Sequence, residues 1–150
     1  MRELRLKGQG LRTLPDAAYE HADTLELLDL SGNALDTLPR DLHRFRRLRI
    51  LFASDNRFTE LPACLGDCPA LEMVGFRSNA IAHVPADALP ARLRWLILTD
   101  NAIAHLPSTL GERPRLQKLM LAGNHLSALP ESLRGAPALE LLRIAANRFE

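Results

Sequence analysis

A single template recurs along this chain and constrains its fold more than any other feature. Asparagines return at steps of 23, 23, 22, 23 and 23 residues, at Asn33, Asn56, Asn79, Asn101, Asn124 and Asn147. Gln9 stands 24 residues before Asn33 and opens the series. A proline follows six residues after each of the first six members, at Pro15, Pro39, Pro62, Pro85, Pro107 and Pro130. A pattern this regular predicts a stack of repeats, in which each unit buries its apolar face only against its neighbours.

The unit from Leu116 to Pro130 shows the template most clearly. Leucine fills its first, fourth, sixth and eleventh places, asparagine fills the ninth, and Leu-Pro ends it. Leu119 and Leu121 alternate with residues of the opposite face, which predicts a short strand with one face buried. Strands of successive units are expected to form a parallel sheet, about 4.8 Å apart. We expect the asparagine amides to form a ladder that satisfies buried backbone groups, and the proline to begin a short helical or extended segment.

The sequence L-x-x-L-x-L-x-x-N-x-L at this period is the signature of a leucine-rich repeat. We therefore expect an α/β leucine-rich repeat solenoid (a horseshoe), with a parallel concave sheet of about seven strands and short helical or extended convex segments. One domain is expected over residues 1–150. It divides into an N-terminal capping repeat at 1–24, five full repeats over 25–138 and a truncated last repeat at 139–150. The fourth repeat is one residue short, which predicts a tighter convex segment over residues 84–90.

Composition argues against several classes of function. The formal net charge is +1, whereas nucleic-acid or membrane-surface binding usually needs a strong basic excess. No apolar run reaches the length of a membrane span, and the charged, alternating N-terminus does not resemble a signal peptide. Two cysteines, Cys64 and Cys68, are the whole complement, which favours a reducing, cytoplasmic compartment. We expect Cys68 to pack in the core and Cys64 to be exposed.

No group of residues indicates catalysis, a cofactor or a metal. The cysteine pair lacks a histidine pair at zinc-binding spacing. His83 and His105 occupy the same place in adjacent repeats, but two histidines need further ligands, so we expect solvated rings. No nucleophile–base pair or carboxylate pair is singled out by spacing, and Gly8-Gln-Gly10 lacks the remainder of a phosphate-binding loop. The chain is therefore predicted not to be an enzyme and to carry no cofactor.

The segment from Arg40 to Arg49 contains five arginines. One interpretation is a solvated convex face with Leu42 and Phe45 directed inward. The other is a contact surface for an acidic partner or a phosphate.

The outward positions of the strands predict a binding surface. Eight of them are apolar and are expected to form one band across the sheet, named here the concave band: Leu27, Ile50, Phe52, Met73, Trp95, Ile97, Met120 and Leu141. Charged residues are expected to surround it, at Asp55, Arg77, Asp100, Lys118 and Arg143. An exposed apolar patch with a polar rim is typical of an interaction site, and tryptophan is enriched among binding hot spots.

We therefore predict that a protein partner, of unknown identity, binds the concave band together with Arg77, Lys118 and Arg143. Two alternatives stay open. The band is only the cover of a shallow sheet, or the chain is a self-assembling structural module that forms homo-oligomers by pairing two such faces or through its last, uncapped repeat.

The whole chain also resembles intracellular bacterial leucine-rich repeat proteins whose units carry Leu-Pro after the asparagine. The segments Leu25–Asn33, Leu93–Asn101 and Leu116–Asn124 are similar to the N-terminal repeats of bacterial leucine-rich repeat protein kinases. In that family the repeats precede a kinase domain, and similar repeats occur in secreted bacterial effectors with a ubiquitin-ligase domain. The kinase motifs and the ligase domain are absent from these 150 residues. The resemblance thus implies a second hypothesis, in which the repeats are the recognition region of a larger enzyme.

Overall fold

The computed structural model describes residues 1–149, which form one parallel sheet with short helices between its strands. The seven strands are arranged in chain order, as β1 Glu3–Arg5, β2 Leu27–Asp29, β3 Ile50–Phe52, β4 Met73–Gly75, β5 Trp95–Ile97, β6 Lys118–Met120 and β7 Leu141–Arg143. Six 3₁₀ helices alternate with them in this part of the chain, at Asp16–His21, Leu42–Arg44, Ala63–Asp67, Ala86–Ala88, Ser108–Glu112 and Glu131–Gly135. The predicted leucine-rich repeat solenoid, with seven parallel strands and short helical convex segments, is confirmed.

The core lies between the sheet and the helices. The central residue of each strand from β2 to β6 is at most 1% exposed: Leu28, Leu51, Val74, Leu96 and Leu119. The helices contribute fully buried side chains from the other side, such as Leu42, Leu65 and Leu110. The period-two interpretation of the strands is therefore confirmed, because the residues on either side of each buried centre point away from the core.

The asparagine ladder is also confirmed. The side-chain oxygen of Asn124 accepts a hydrogen bond from the backbone N–H of Ile103 in the preceding repeat, at 3.1 Å. Its NH₂ group donates to the carbonyl oxygens of Leu98 at 2.9 Å and Leu121 at 3.0 Å. The other asparagines of the series make equivalent bonds. Each amide thus joins two repeats and satisfies backbone groups that the stack removes from water.

A left-handed residue precedes each member of the asparagine series. Its φ lies between 53° and 72° in all seven repeats, at Gly8, Gly32, Asp55, Ser78, Asp100, Gly123 and Ala146. Glycine adopts this conformation without steric cost, whereas an L side chain brings its Cβ too close to the backbone. Ser78, with φ 55°, therefore holds a strained backbone in the middle of the array.

Replacing Ser78 with glycine should stabilise the protein by about 0.5–1 kcal/mol, because relief of left-handed strain exceeds the entropy that glycine adds to the unfolded chain. Urea unfolding followed by circular dichroism would measure the difference. Ser127→Gly is a suitable control, because Ser127 is exposed and has no positive φ. An equal loss of stability in both variants would show that Ser78 is not strained.

The convex helix of the fourth repeat is short, but the helix Leu42–Arg44 of a full-length repeat also has 3 residues, so the tighter segment stays a prediction. The helix of the fourth repeat, Ala86–Ala88, has 3 residues, whereas the helices on either side, Ala63–Asp67 and Ser108–Glu112, have 5 residues each. The chain leaves that short helix in an extended conformation at Leu89, with φ −97° and ψ 112°.

The two cysteines lie on the convex side, where one expectation is confirmed and the other is wrong. Cys68 is 2% exposed and belongs to the core, as predicted. Cys64 was expected to be exposed, but it is half-buried and packs against the core. The stack itself half-buries this place, since Asp41 and Ser132 fill it in other repeats and are half-buried too. Burial raises the pKa of the Cys64 thiol to about 11 and that of the Cys68 thiol to about 12.

These raised pKa values predict slow thiol labelling. The thiolate is the reactive form, and raising a pKa by about two units lowers its population about 100-fold at pH 8. Native protein should therefore react with a disulfide reagent such as dithiobis(nitrobenzoate) about 100-fold more slowly than protein unfolded in guanidinium. The native rate should rise with pH beyond pH 9. Equal rates for native and unfolded protein would show that Cys64 and Cys68 are not sheltered by the fold.

Candidate functional site

The parallel register gathers the concave band into two adjacent rungs that cross the sheet. The first rung places side by side Leu27, Ile50, Met73, Trp95, Lys118 and Leu141. The second places side by side Asp29, Phe52, Gly75, Ile97, Met120 and Arg143. All eight apolar residues of the band thus lie on one face, and neighbouring strands are about 4.8 Å apart.

The band is a closely packed surface of half-buried side chains. Each of its eight residues is half-buried, and the only exposed large hydrophobic residues within 1–149 are Met1 and Phe149. At Gly75 the band has no side chain, and a Cβ built there would lie 2.8 Å from Cδ1 of Phe52. The Phe52 ring therefore occupies the space above Gly75. Sequence reasoning missed this glycine, although its outward place in the strand was a signal for a gap in the band.

Trp95 is fixed in the centre of the first rung by two contacts. Its indole N–H donates a hydrogen bond to the side-chain oxygen of Gln117, at 3.1 Å. The Lys118 ammonium nitrogen lies 4.0 Å from the ring centroid, which is cation–π geometry. Lys118, predicted as a rim cation, thus covers one side of the indole. Gln117 was not among the predicted site residues, although it directly precedes β6.

The remaining rim charges surround the band at its edges. Arg77 and Asp100 approach each other to 3.9 Å, and both side chains are more than half exposed. Such an exposed pair contributes little stability, so its charges are available to a partner at small cost. Arg143 is exposed and makes no ion pair with any of residues 1–149.

A ladder of polar side chains follows the edge of the sheet where the strands begin. It occupies the second place of each repeat, at Arg2, Glu26, Arg49, Glu72, Arg94, Gln117 and Glu140. Neighbours are joined in the pairs Arg2–Glu26, Arg49–Glu72 at 2.9 Å, Arg94–Gln117 at 3.2 Å and Gln117–Glu140 at 2.9 Å. The hydrogen bond from Arg2 holds the pKa of Glu26 below its ordinary value. Sequence reasoning missed this ladder, which the spacing of 22 to 24 residues between opposite charges could have revealed.

The arginine-rich segment from Arg40 to Arg49 has the inward face that was predicted, since Leu42 and Phe45 are fully buried. Three of its arginines are in ion pairs, namely Arg44–Asp41 at 3.3 Å, Arg46–Asp23 at 2.8 Å and Arg49–Glu72 at 2.9 Å. Arg44 also lies over the Tyr19 ring, 4.9 Å from its centroid. Arg46 and Arg49 thus form ion pairs with neighbouring repeats, whereas Arg44 pairs with an aspartate of its own segment.

Other predicted features lie away from this surface. His83 and His105 are both exposed, as expected. Within the described part of the chain no cluster of three or more histidine, cysteine, aspartate or glutamate side chains has a geometry suited to a metal ion. No helix within residues 1–149 has the length and apolar character needed to cross a bilayer.

The chain is similar to known proteins in both sequence and structure. The sequence profile of the family described as "Leucine rich repeat" matches residues 1–58 and 91–149. Leucine-rich repeat-containing protein 58 from Homo sapiens is 37% identical over 95 residues, which is 59% of this chain and 26% of that protein. The structure is similar to the ectodomain of the plant receptor kinase GASSHO1/SCHENGEN3 from Arabidopsis thaliana, in complex with CASPARIAN STRIP INTEGRITY FACTOR 2. The TM-score is 0.81 and the sequences are 26% identical; the match covers 98% of this chain and 18% of that chain.

The structure is also similar to TLR13 in its complex with ssRNA13, with a TM-score of 0.84 and 26% identity. This match covers 97% of this chain and 21% of that chain. This chain therefore spans about a quarter of the human relative's length and about a fifth of each of these two structures.

Proposed function

Because this chain belongs to the leucine-rich repeat family, we propose that it is a non-catalytic module that binds a protein partner through the concave band. Domains of this family are typically protein interaction modules, and similar structures include receptors in complex with their ligands. The observation that carries the proposal is the assembly of eight apolar side chains in two rungs, with Trp95 fixed among them.

The binding energy would come from covering the apolar centre, and the rim would select the partner. Half-buried side chains have already lost much of their rotamer freedom, so their immobilisation on binding costs less entropy. Trp95 is held by Gln117 and Lys118 before any partner arrives, which favours it as the anchor. Arg77, Asp100 and Arg143 at the rim would affect the rate of association and reject partners of the wrong charge.

A protein partner is favoured over a nucleic acid by the chemistry of this face. The similar TLR13 structure is a complex with single-stranded RNA. Binding of a nucleic acid depends on cations that neutralise phosphates. Here the two rungs are mainly apolar, and the formal charge of the whole chain is only +1.

Two further proposals concern the larger protein to which the module belongs and its cellular compartment. The module serves as the recognition region of a larger protein, with a bacterial leucine-rich repeat kinase or ubiquitin-ligase effector as the example that the sequence resemblance suggests. Its compartment is proposed to be the cytoplasm, because Cys64 and Cys68 are free thiols. A homo-oligomer formed by two concave bands is the competing use of the same surface.

Trp95→Ala should weaken partner binding by about 2 kcal/mol or more, which corresponds to about a 30-fold higher Kd. The parent protein, immobilised, would first retrieve the partner from lysate of the cells that produce it. Titration calorimetry with the purified partner would then compare the parent with Trp95→Ala.

His105→Ala is the matched control, because His105 is exposed and lies outside the sheet. Unchanged affinity in Trp95→Ala would rule out the concave band as the binding surface. A concentration-dependent dimer of the parent, absent in Trp95→Ala by light scattering, would favour the homo-oligomer instead.

A further inference from the structure

A basic cleft lies beside the concave band, where the chain enters the first strands of the sheet. Its volume is about 490 Å³. Five arginines and two glutamates line it, together with smaller residues: Arg2, Arg46, Arg47, Arg49, Arg92, Glu26 and Glu72. We name it the arginine cleft. The proposed function does not require it, because none of these residues belongs to the concave band.

The positive charge of the arginine cleft is not neutralised from within. Its two glutamates are engaged by Arg2 and Arg49, and Arg46 pairs with Asp23 outside the cleft. Arg47 and Arg92 are exposed and make neither an ion pair nor a side-chain hydrogen bond with any of residues 1–149. A local excess of arginine in a chain of formal charge +1 is thus concentrated at one place on the surface.

The repeat template sets the spacing between these two free arginines. Arg47 and Arg92 each directly precede the first leucine of a repeat, two repeats apart, and Ala70 holds the same place in the repeat between them. Two strand spacings separate their backbones by about 10 Å. Arg47, Ala70 and Arg92 all line the cleft, and the small side chain of Ala70 leaves space between the two arginines. Planar guanidinium groups on both sides of a gap suit carboxylates, which they bind through paired hydrogen bonds.

The arginine cleft is continuous with the concave band. A second cavity of about 250 Å³ shares Arg2, Glu26 and Arg49 with the cleft and is also lined by Leu27 and Ile50 of the band. A peptide that covers β2 and β3 can therefore extend into the cleft without leaving the surface.

We propose that the arginine cleft binds an acidic peptide segment of the protein partner. Carboxylates of that segment lie between Arg47 and Arg92, and its neighbouring apolar residues rest on Leu27 and Ile50. The assignment of the segment to the partner of the concave band rests on the proposed function. The affinity of the cleft for carboxylates is independent of the proposed function and can be measured separately.

The test uses fluorescence anisotropy at low ionic strength with a fluorescein-labelled hexaglutamate peptide. The parent should bind this peptide and not labelled hexaglutamine, and binding should weaken as salt is added. Arg47→Ala/Arg92→Ala should raise the Kd for hexaglutamate at least about 10-fold, a loss of about 1.4 kcal/mol.

Arg12→Ala/Arg57→Ala is the charge-matched control, since both residues are exposed and neither lines the cleft. This control should keep the parent affinity. Equal losses in the two double variants, or no binding by the parent, would overturn the proposal.

Three further measurements separate the alternatives. Arg47→Lys/Arg92→Lys keeps the charge but not the planar fork, so it should bind hexaglutamate less tightly than the parent, and full affinity would contradict recognition by guanidinium groups. Labelled oligouridylate that binds more tightly than hexaglutamate, with the same dependence on Arg47 and Arg92, would assign the cleft to RNA and overturn the acidic-peptide proposal. A captured partner that is lost with Trp95→Ala but retained by Arg47→Ala/Arg92→Ala would overturn the cleft's role while leaving the proposed function intact.

Discussion

Asn124→Ala is expected to lower the free energy of unfolding by about 2–4 kcal/mol. Asn124 is 3% exposed, and its amide bonds the N–H of Ile103 and the carbonyls of Leu98 and Leu121. Alanine would leave these backbone groups without a partner in a place that water does not reach. Each unsatisfied buried group costs about 1–3 kcal/mol, and partial relaxation of the loop reduces the sum. Urea unfolding, monitored by circular dichroism and tryptophan fluorescence, would measure the loss.

The neighbouring residue supplies the control for this prediction. His125 is exposed, so His125→Ala should change stability by less than about 0.5 kcal/mol. Asn124→Asp keeps the shape of the side chain but places an oxygen against the carbonyls of Leu98 and Leu121, and it should be about as destabilising as alanine. If Asn124→Ala unfolds at the urea concentration of the parent, the asparagine ladder does not hold the repeats together.

Gly111→Ala is expected to destabilise the protein by about 2–3 kcal/mol through a clash between convex helices. A Cβ on Gly111 would lie 2.2 Å from the backbone carbonyl carbon of Ser132 and 2.3 Å from its oxygen. Backbone atoms cannot rotate away as a flexible side chain can, so the helices Ser108–Glu112 and Glu131–Gly135 would have to separate. Thermal unfolding of the parent and the variant would measure the effect.

Gly135→Ala is the matched control, because nothing lies within 4 Å of a Cβ at Gly135 and neither glycine has a positive φ. It should be neutral or slightly stabilising, since alanine restricts the unfolded chain. Equal melting temperatures of the two variants would show that the convex helices are not in close contact at Gly111.

The contrast between these two predictions shows which constraints the sequence contains. The asparagine spacing defined the ladder, because the same residue performs the same task in each repeat. The requirement at Gly111 could be read only in part, since Gly66 fills the same place and faces a similar clash, whereas His43 and Arg134 fill it in other repeats. The constraint there arises from how closely the next helix approaches, which is a property of the stack rather than of the template. The error at Cys64 has the same origin.

The candidate site follows the same division. The template placed all eight residues of the concave band in their rungs, because strand register follows directly from the repeat. It did not predict that Phe52 covers Gly75, or that Gln117 and Lys118 fix Trp95. Those contacts depend on side-chain conformations across neighbouring repeats. Oppositely charged residues about 23 positions apart are the sequence signal for the ladder of polar side chains along the edge of the sheet.

Site-specific photocrosslinking tests the central claim, a protein partner on the concave band, most directly. Benzoylphenylalanine would be placed at Ala122, on the sheet side two residues after Met120, or at Glu112, on an exposed convex helix. After irradiation in lysate of the producing cells, crosslinked partners would be identified by mass spectrometry. The concave-band account predicts a specific crosslinked protein from position 122 that is lost with Trp95→Ala, and none from position 112. A specific crosslink from position 112 alone would contradict it and assign binding to the convex side.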